Sequence, residues 1–284
     1  MTPVTFGWKA SQQHFTITDY RTLWTVVDEA GFDSCWVFDH FRPMGRDRTG
    51  DIFEAWTILA AMAEATHRVR LGTLVTGNGY RHPALLAKMA ATVDHLSGGR
   101  LDVGLGAGGD PDVDVATGFP SLPARERVER LDESAQILRH LWTSPATTFT
   151  GEHYRLENAL SDPKPVQNPL PLWLASNGER RGLRVVAEQA DVWLTATFEE
   201  EPGDLVRLSA VLDGHCVATG RNPATLRRAA QFPLPPTRDG ILRAAESFIR
   251  AGFATLVFMP RGGGGPARAE EVAALLPDLR SIEP

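Results

Sequence analysis

The sequence predicts an α/β chain folded as a (β/α)8 TIM barrel, on two observations. Short apolar runs alternate with longer amphipathic stretches along the whole chain, eight of each, and no shift of composition marks a domain boundary. The length of 284 residues fits one barrel of the roughly 250-residue class. A doubly wound open sheet would show the same alternation, but the count of eight favours closure. The expectation is one domain over residues 1–284, with a short insertion near residues 145–171.

The elements follow in order. Val4–Trp8 reads as the first strand, and Thr18 as the cap of a helix that buries Leu23, Val26, Val27 and Ala30 and stops at Gly31. Cys35–Phe38 is an apolar run with the pattern of a strand buried on both faces. Ile52–Ala65 is a helix, and Val69–Val75 the third strand. His82–Leu96 is a helix with Pro83 in its first turn, and Leu101–Gly106 the fourth strand. Asp110-Pro111-Asp112 is not expected to open a helix, whereas Pro123–Trp142 reads as a long charged one. Pro145–Pro171 breaks the rhythm with five prolines and is expected to carry a small hairpin around Phe149–Tyr154. Strands at Leu172–Ala175, Asp191–Leu194, Arg227–Gln231 and Phe253–Phe258 then alternate with helices near 180–189, 202–219, 241–251 and 267–276.

Composition excludes several functions. A net charge of −6 with no long basic run argues against a nucleic-acid partner. The two cysteines, Cys35 and Cys216, lie far apart in apolar surroundings and read as buried thiols. The opening Met1-Thr2-Pro3-Val4 has no basic and apolar leader pattern, and no stretch approaches the ~20 apolar residues of a membrane span. The expectation is a cytoplasmic protein without a membrane partner. A homodimer is left open.

In a barrel the reactive groups stand at the C-terminal ends of the strands. The second strand ends in Asp39-His40, an acid beside an imidazole. Ala175-Ser176-Asn177-Gly178-Glu179 follows a strand and opens a helix, so its N–H groups and the helix dipole suit an anion. Gly104-Leu105-Gly106-Ala107-Gly108-Gly109 matches the dinucleotide fingerprint only loosely, and its glycines are expected to let a flat ligand approach the backbone. The histidines are scattered, with only His40 on a strand end, so no metal site is expected. No Gly-x-Ser-x-Gly elbow supports a serine nucleophile.

These stretches together resemble the bacterial luciferase-like superfamily of flavin and deazaflavin oxidoreductases. The likeness rests on Trp36-Val37-Phe38-Asp39-His40-Phe41, on Arg70 to Asn78 running into Tyr80-Arg81-His82-Pro83-Ala84, and on Ser97-Gly98-Gly99-Arg100-Leu101 with Gly104 to Gly108. Ser176-Asn177-Gly178-Glu179-Arg180-Arg181 and Ala190-Asp191-Val192-Trp193 complete it. The Asp-His-Phe strand end leans toward the branch that uses coenzyme F420, a 5-deazaflavin. The resemblance implies an oxidoreductase with the tricycle in the barrel mouth, moving a hydride to or from a small organic substrate. It implies that His40 stabilises or protonates at the reacting centre. Cofactor contacts are implied for Asp39, Thr73, Leu74, Thr76, Gly106 and Ala107, and for Ala175, Ser176, Asn177, Gly178 and Glu179 at the phosphate. A non-prolyl cis peptide is implied at Thr73-Leu74. Sugar-phosphate dehydrogenases of the family carry tryptophan at the place of Met44 and glutamate near Gly109, which points this chain to a different substrate. The alternatives are an FMN-dependent monooxygenase served by a separate reductase and a non-catalytic flavin-binding protein. The insertion, short and proline-rich, would make a poor lid for an oxygen-activating flavin, which favours the deazaflavin.

Overall fold

Eight parallel strands close on themselves in the computed structural model, which describes residues 3–45, 47–260 and 264–283. The barrel strands are β1 (Thr5–Lys9), β2 (Ser34–Val37), β3 (Arg70–Thr73), β5 (Leu101–Gly106), β8 (Leu172–Ala175), β9 (Val192–Ala196), β10 (Arg227–Pro233) and β11 (Thr255–Met259). β4 (Thr76–Gly77) is a short continuation of the β3 segment that pairs with β5. Leu71↔Leu101 and Gly72↔Asp102 join β3 to β5, and Phe6↔Leu256 joins β1 to β11, so no barrel strand is left as an edge. The pairings are in parallel register throughout. The (β/α)8 expectation is met.

The helices pack outside: α1 (Ile17–Glu29), α2 (Ala55–Ala65), α3 (Pro83–Leu96), α4 (Pro111–Thr117), α5 (Ala124–Thr143), α6 (Gly182–Gln189), α7 (Leu205–Ala218), α8 (Arg238–Arg250), α9 (Pro266–Ala273) and α10 (Leu276–Arg280). Between strands and helices lies a continuous apolar layer that includes Phe6, Trp8, Trp24, Phe32, Phe232, Phe248 and Phe258. A smaller cluster inside the barrel holds Trp36, Leu74, Trp173, Val192, Leu194, Ala229 and Val257. Its plug is the Trp36–Trp173 pair, with ring centroids 4.7 Å apart. Cys35 and Cys216 are free and buried. Among the described residues no helix is long and apolar enough to cross a membrane.

Several local expectations are corrected. The cap of α1 is Thr16, whose hydroxyl accepts from the Asp19 N–H, because it stands one step before the first helical residue; Thr18 lies inside the first turn. Asp110-Pro111-Asp112 does open a helix: Asp110 caps the Val113 N–H, Pro111 fills the first turn, and Gly118 ends the helix at φ 77°. The segment expected as one last helix is two, α9 and α10.

The insertion forms the expected hairpin, β6 (Thr147–Thr150) with β7 (Arg155–Ala159), and Glu133 of α5 accepts from the N–H groups of Glu152, His153 and Tyr154 at its tip. Its return segment is fixed at the N-terminal end of the strands. There Gln167 donates to Asp94 (2.7 Å) and to the Leu101 carbonyl (2.7 Å), and accepts from Arg70 (3.0 Å).

Candidate active site

β2 delivers Phe38-Asp39-His40 to the mouth, and the loop after β1 holds that delivery in place. Gln12 is fully buried; its amide oxygen accepts from the Phe38 N–H (3.2 Å) and its amide nitrogen donates to the Phe38 carbonyl. Both backbone polar groups of Phe38 are thus satisfied by one side chain. Asp39, 6% exposed, turns away from the mouth. Its carboxylate accepts from both Arg81 nitrogens (2.5 and 3.2 Å) and from the Gly77 N–H (3.1 Å). His40 is half-buried, edge-on to the Phe38 ring at 5.2 Å, and its Nδ1 is buried with no partner among the described residues. Burial, and next the charge of Lys9, push the imidazole below its usual 6.5.

The bed of the mouth is the break between β3 and β4. A non-prolyl cis peptide lies at Leu74-Val75, one bond beyond the expected Thr73-Leu74. The chain here runs hard against β5. A Cβ on Gly104 would collide with the Thr73 carbonyl oxygen, and one on Gly106 would come to 2.7 Å from Val75 Cγ2. Those two glycines therefore admit a neighbouring strand, and their expected approach to a flat ligand is corrected accordingly. Thr73 and Thr76 are fully buried and bonded to each other (2.8 Å). Thr73 also donates to the Gly104 carbonyl (2.9 Å), and Thr76 accepts from Trp56 Nε1 (3.0 Å). What this locked layer presents upward is the side chains of Leu74 and Val75.

At the far side β8 ends in the turn Ala175–Glu179. Ser176 Oγ accepts from the Gly178 N–H (3.1 Å), Asn177 accepts from Thr195 Oγ1 (2.7 Å), and the Ser176 carbonyl accepts from Trp193 Nε1 (2.9 Å). α6 begins at once. Its N-cap, Arg181, makes no side-chain cap, and the Leu183 N–H donates to the Gly178 carbonyl (2.9 Å), so only part of the first turn's donors is spent. Glu179 is tied to Arg207 (2.9 Å), which also pairs with Asp204.

Two adjoining cavities connect these parts. One of about 330 Å³ lies between Val75, Ala175, Asn177 and Ala196. The other, of about 590 Å³, is walled by Lys9, Phe38, His40, Met44, Phe198 and Met259. Leu74, Val75 and Gln231 line both, which makes one trough with an apolar floor, the Ala175–Asn177 turn that leads into α6 at one end and His40 at the other.

Of the residues expected at the site, His40, Leu74, Ala175, Ser176 and Asn177 line this trough. Gly178 and Glu179 continue the turn at its rim. Asp39, Thr73 and Thr76 are spent beneath it, Gly106 lies under Val75, and Ala107 faces a separate small crevice with Asn78 and Phe119. The sequence reading missed Lys9, Val75, Gln231, Phe198 and Met259 as wall residues. For Lys9 the sequence carries a signal: it is the last residue of the first strand, one position beyond Trp8, the end that the apolar pattern predicts.

The luciferase-like monooxygenase family model matches residues 1–273. The F420-dependent glucose-6-phosphate dehydrogenase of Intrasporangium calvum is 36% identical over 176 residues, which is 61% of this chain and 52% of that one. The chain spans about half the length of the curated relatives it first matches. Among solved structures, an F420-dependent secondary alcohol dehydrogenase in complex with an F420-acetone adduct superposes with a TM-score of 0.87 at 20% identity, covering 98% of this chain and all of that one. The monooxygenase RslO1 from Streptomyces bottropensis superposes at 0.80 with 19% identity, covering 96% of this chain and 99% of that one. At such identities the likeness of the structures is one of fold.

Proposed function

This chain belongs to the luciferase-like monooxygenase family, and within it we propose an oxidoreductase that moves a hydride between coenzyme F420 and a small organic substrate. The observation that carries the reading is the trough itself. Its floor of Leu74 and Val75 is apolar and made rigid by the Thr73–Thr76 layer, which suits one face of a flat tricycle. Ala175 and Ala196 leave room at its side, and the uncapped start of α6 suits a phosphate. His40 lines the end where a ring and a substrate would meet, and its buried Nδ1 has no partner among the described residues. The F420 dependence of the curated relatives supports the same cofactor.

When bound, the deazaflavin supplies a ring carbon that gives or accepts a hydride. The chain does the rest. Leu74 and Val75 hold the ring plane, and Ser176, Asn177 and the α6 N–H groups hold the phosphate. Asp39 works through position: with Arg81 and Gly77 it fixes the edge of the bed. His40, kept neutral near pH 7 by burial, is ready to accept a proton or a hydrogen bond at the substrate.

The relatives' sugar phosphate does not carry over. Met44 gives the substrate cavity an apolar wall where those enzymes are expected to have tryptophan, and Gly109 has no side chain to replace their glutamate. The monooxygenase alternative needs a covered flavin. The return segment of the insertion is fastened at the opposite end of the barrel through Gln167, and none of residues 145–171 lines the trough, which favours the deazaflavin. The test is titration of the full chain with F420 and with FMN, read by cofactor fluorescence. Low-micromolar F420 binding with weaker FMN binding is expected; tight FMN binding with none for F420 would overturn the assignment. Bound F420 that is never reduced or oxidised across a broad substrate panel would favour the non-catalytic reading.

A further inference from the structure

The chain contains three lysines among 29 basic residues, so lysine is the exception where arginine is the rule. Two of the three have conventional partners. Lys88 donates to the Asp162 carbonyl, and Lys164 donates to the Leu141 carbonyl (3.0 Å) and pairs with Asp162 (3.8 Å). The third, Lys9, ends β1 in the wall of the larger cavity, half-buried. Its ammonium lies 4.8 Å from the centroid of the Phe38 ring and 4.0 Å from Met259 Sδ. No carboxylate stands within ion-pair distance of it among the described residues. Asp39, two residues beyond the neighbouring strand β2, is already taken by Arg81 and Gly77.

A half-buried ammonium without a counter-charge is costly unless something that binds supplies one. The surroundings say what kind of molecule that is. Phe38, Met44, Phe198, Pro233 and Met259 make most of the wall apolar. His40 packs on the same Phe38 ring that Lys9 touches, so an oxygen received by Lys9 lies beside the reacting end of the trough. A single ammonium matches one singly charged oxygen group better than a phosphate dianion, which favours the planar forks of arginine.

We propose that Lys9 is the substrate-recognition residue of this site, and that the substrate is a predominantly apolar organic molecule carrying one carboxylate-like anionic oxygen, which the Lys9 ammonium receives. The inference rests on the reading of the larger cavity as the substrate pocket and names the substrate class for it. Burial alone lowers the Lys9 pKa to about 8, as expected for an ammonium held where its counter-charge has yet to arrive.

The experiment uses cyclohexanecarboxylate as probe and its neutral isostere cyclohexanecarboxamide as control. Calorimetric titration is run at pH 7 on the full chain with and without F420, for the wild type, Lys9→Met and Lys9→Arg. The expected result is at least a tenfold preference for the carboxylate in the wild type, lost in Lys9→Met and largely kept in Lys9→Arg. Circular dichroism confirms that each variant is folded. A second readout is independent of affinity: with the lysine amines ¹³C-dimethylated, the resonance absent from Lys9→Met should titrate near 8 in the free protein and move upward with saturating carboxylate. Equal binding of the two probes by the wild type, or an undiminished carboxylate preference in Lys9→Met, overturns the proposal. Failure of F420 to bind, with the carboxylate preference intact in the cofactor-free protein, would instead sink the cofactor reading and leave Lys9 standing.

Discussion

Replacing Arg81 by methionine removes one half of a buried ion pair and leaves the other half in place. Asp39 and Arg81 have side chains only 4% and 11% exposed, and Arg81 reaches both carboxylate oxygens, at 2.5 and 3.2 Å. Methionine fills much of the same volume, so the cost is mainly electrostatic. Breaking a buried pair from one side costs about 3–5 kcal/mol, because the remaining charge is uncompensated. Here Asp39 keeps the Gly77 N–H, and the second partner of Arg81, Glu54 at 3.2 Å, is half exposed, so the lower figure of ~3 kcal/mol applies. A chain of 284 residues has an unfolding entropy of roughly 0.6 kcal/mol/K, which converts that loss into a fall in Tm of about 5 °C. Gly77 belongs to β4, two residues beyond Val75 of the floor, and donates to Asp39, so the same substitution should weaken F420 binding by about tenfold, measured by fluorescence quenching. Asp39→Asn combined with Arg81→Met should recover more than half of the stability, since no bare carboxylate is left behind. The assay is urea and thermal unfolding of Arg81→Met, Asp39→Asn and the double variant. An Arg81→Met variant that loses less than about 1 kcal/mol, or a double variant worse than the sum of the singles, would refute the claim that this pair supports the bed.

His40→Ala should cut turnover by roughly 10²–10⁴-fold while F420 affinity stays within a few-fold, and wild-type rates with a verified substrate would remove His40 from the mechanism. Burial sets the folded pKa of His40 below its unfolded 6.5, so its neutral form adds stability above 6.5 that is lost as pH falls through the folded value. In His40→Gln, urea midpoints between pH 7 and 5 should fall less steeply than in the wild type. Lys9 has its folded pKa lowered from 10.5 to about 8, so the stability it adds is present above 10.5 and gone below 8. At pH 7 the buried ammonium is therefore a burden on the order of 2 kcal/mol after allowance for its partial exposure, and Lys9→Met should raise Tm by about 3 °C; a lowered Tm would show that Lys9 has a counter-charge. Gly104→Ala, which forces a Cβ into the Thr73 carbonyl, should reduce soluble yield or lower Tm markedly, whereas Gly214→Ala, with open space around it, should be close to neutral.

The alternation of apolar runs and amphipathic stretches determined the barrel, because period and length are local properties and eight βα units of this size close in one familiar way. Leu101–Gly106 and Leu172–Ala175 were legible to the residue, since both faces of a barrel strand are buried and leave an apolar run, broken here only by Asp102. The strand-end position of His40 and the anion-suited turn at Ser176-Asn177 were legible for the same reason: the chain order places them at strand C-termini. What the sequence could not settle is where each side chain at the mouth spends its polar atoms. Asp39 and His40 are adjacent in sequence, yet Asp39 turns under the bed to meet Arg81, 42 residues further on, while His40 faces the cavity. Thr73 and Thr76 look like ligand contacts until the tertiary structure brings Gly104 and Trp56 to their hydroxyls. Gly104 and Gly106 look like a ligand cradle until β5 is laid against Thr73 and Val75. Lys9 became a candidate only when the fold showed an ammonium with Phe38 and Met259 for neighbours and no acid to pair with among the described residues. Burial, pairing and unsatisfied charge depend on contacts between segments far apart in the chain, and closure of the barrel is the step that decides them.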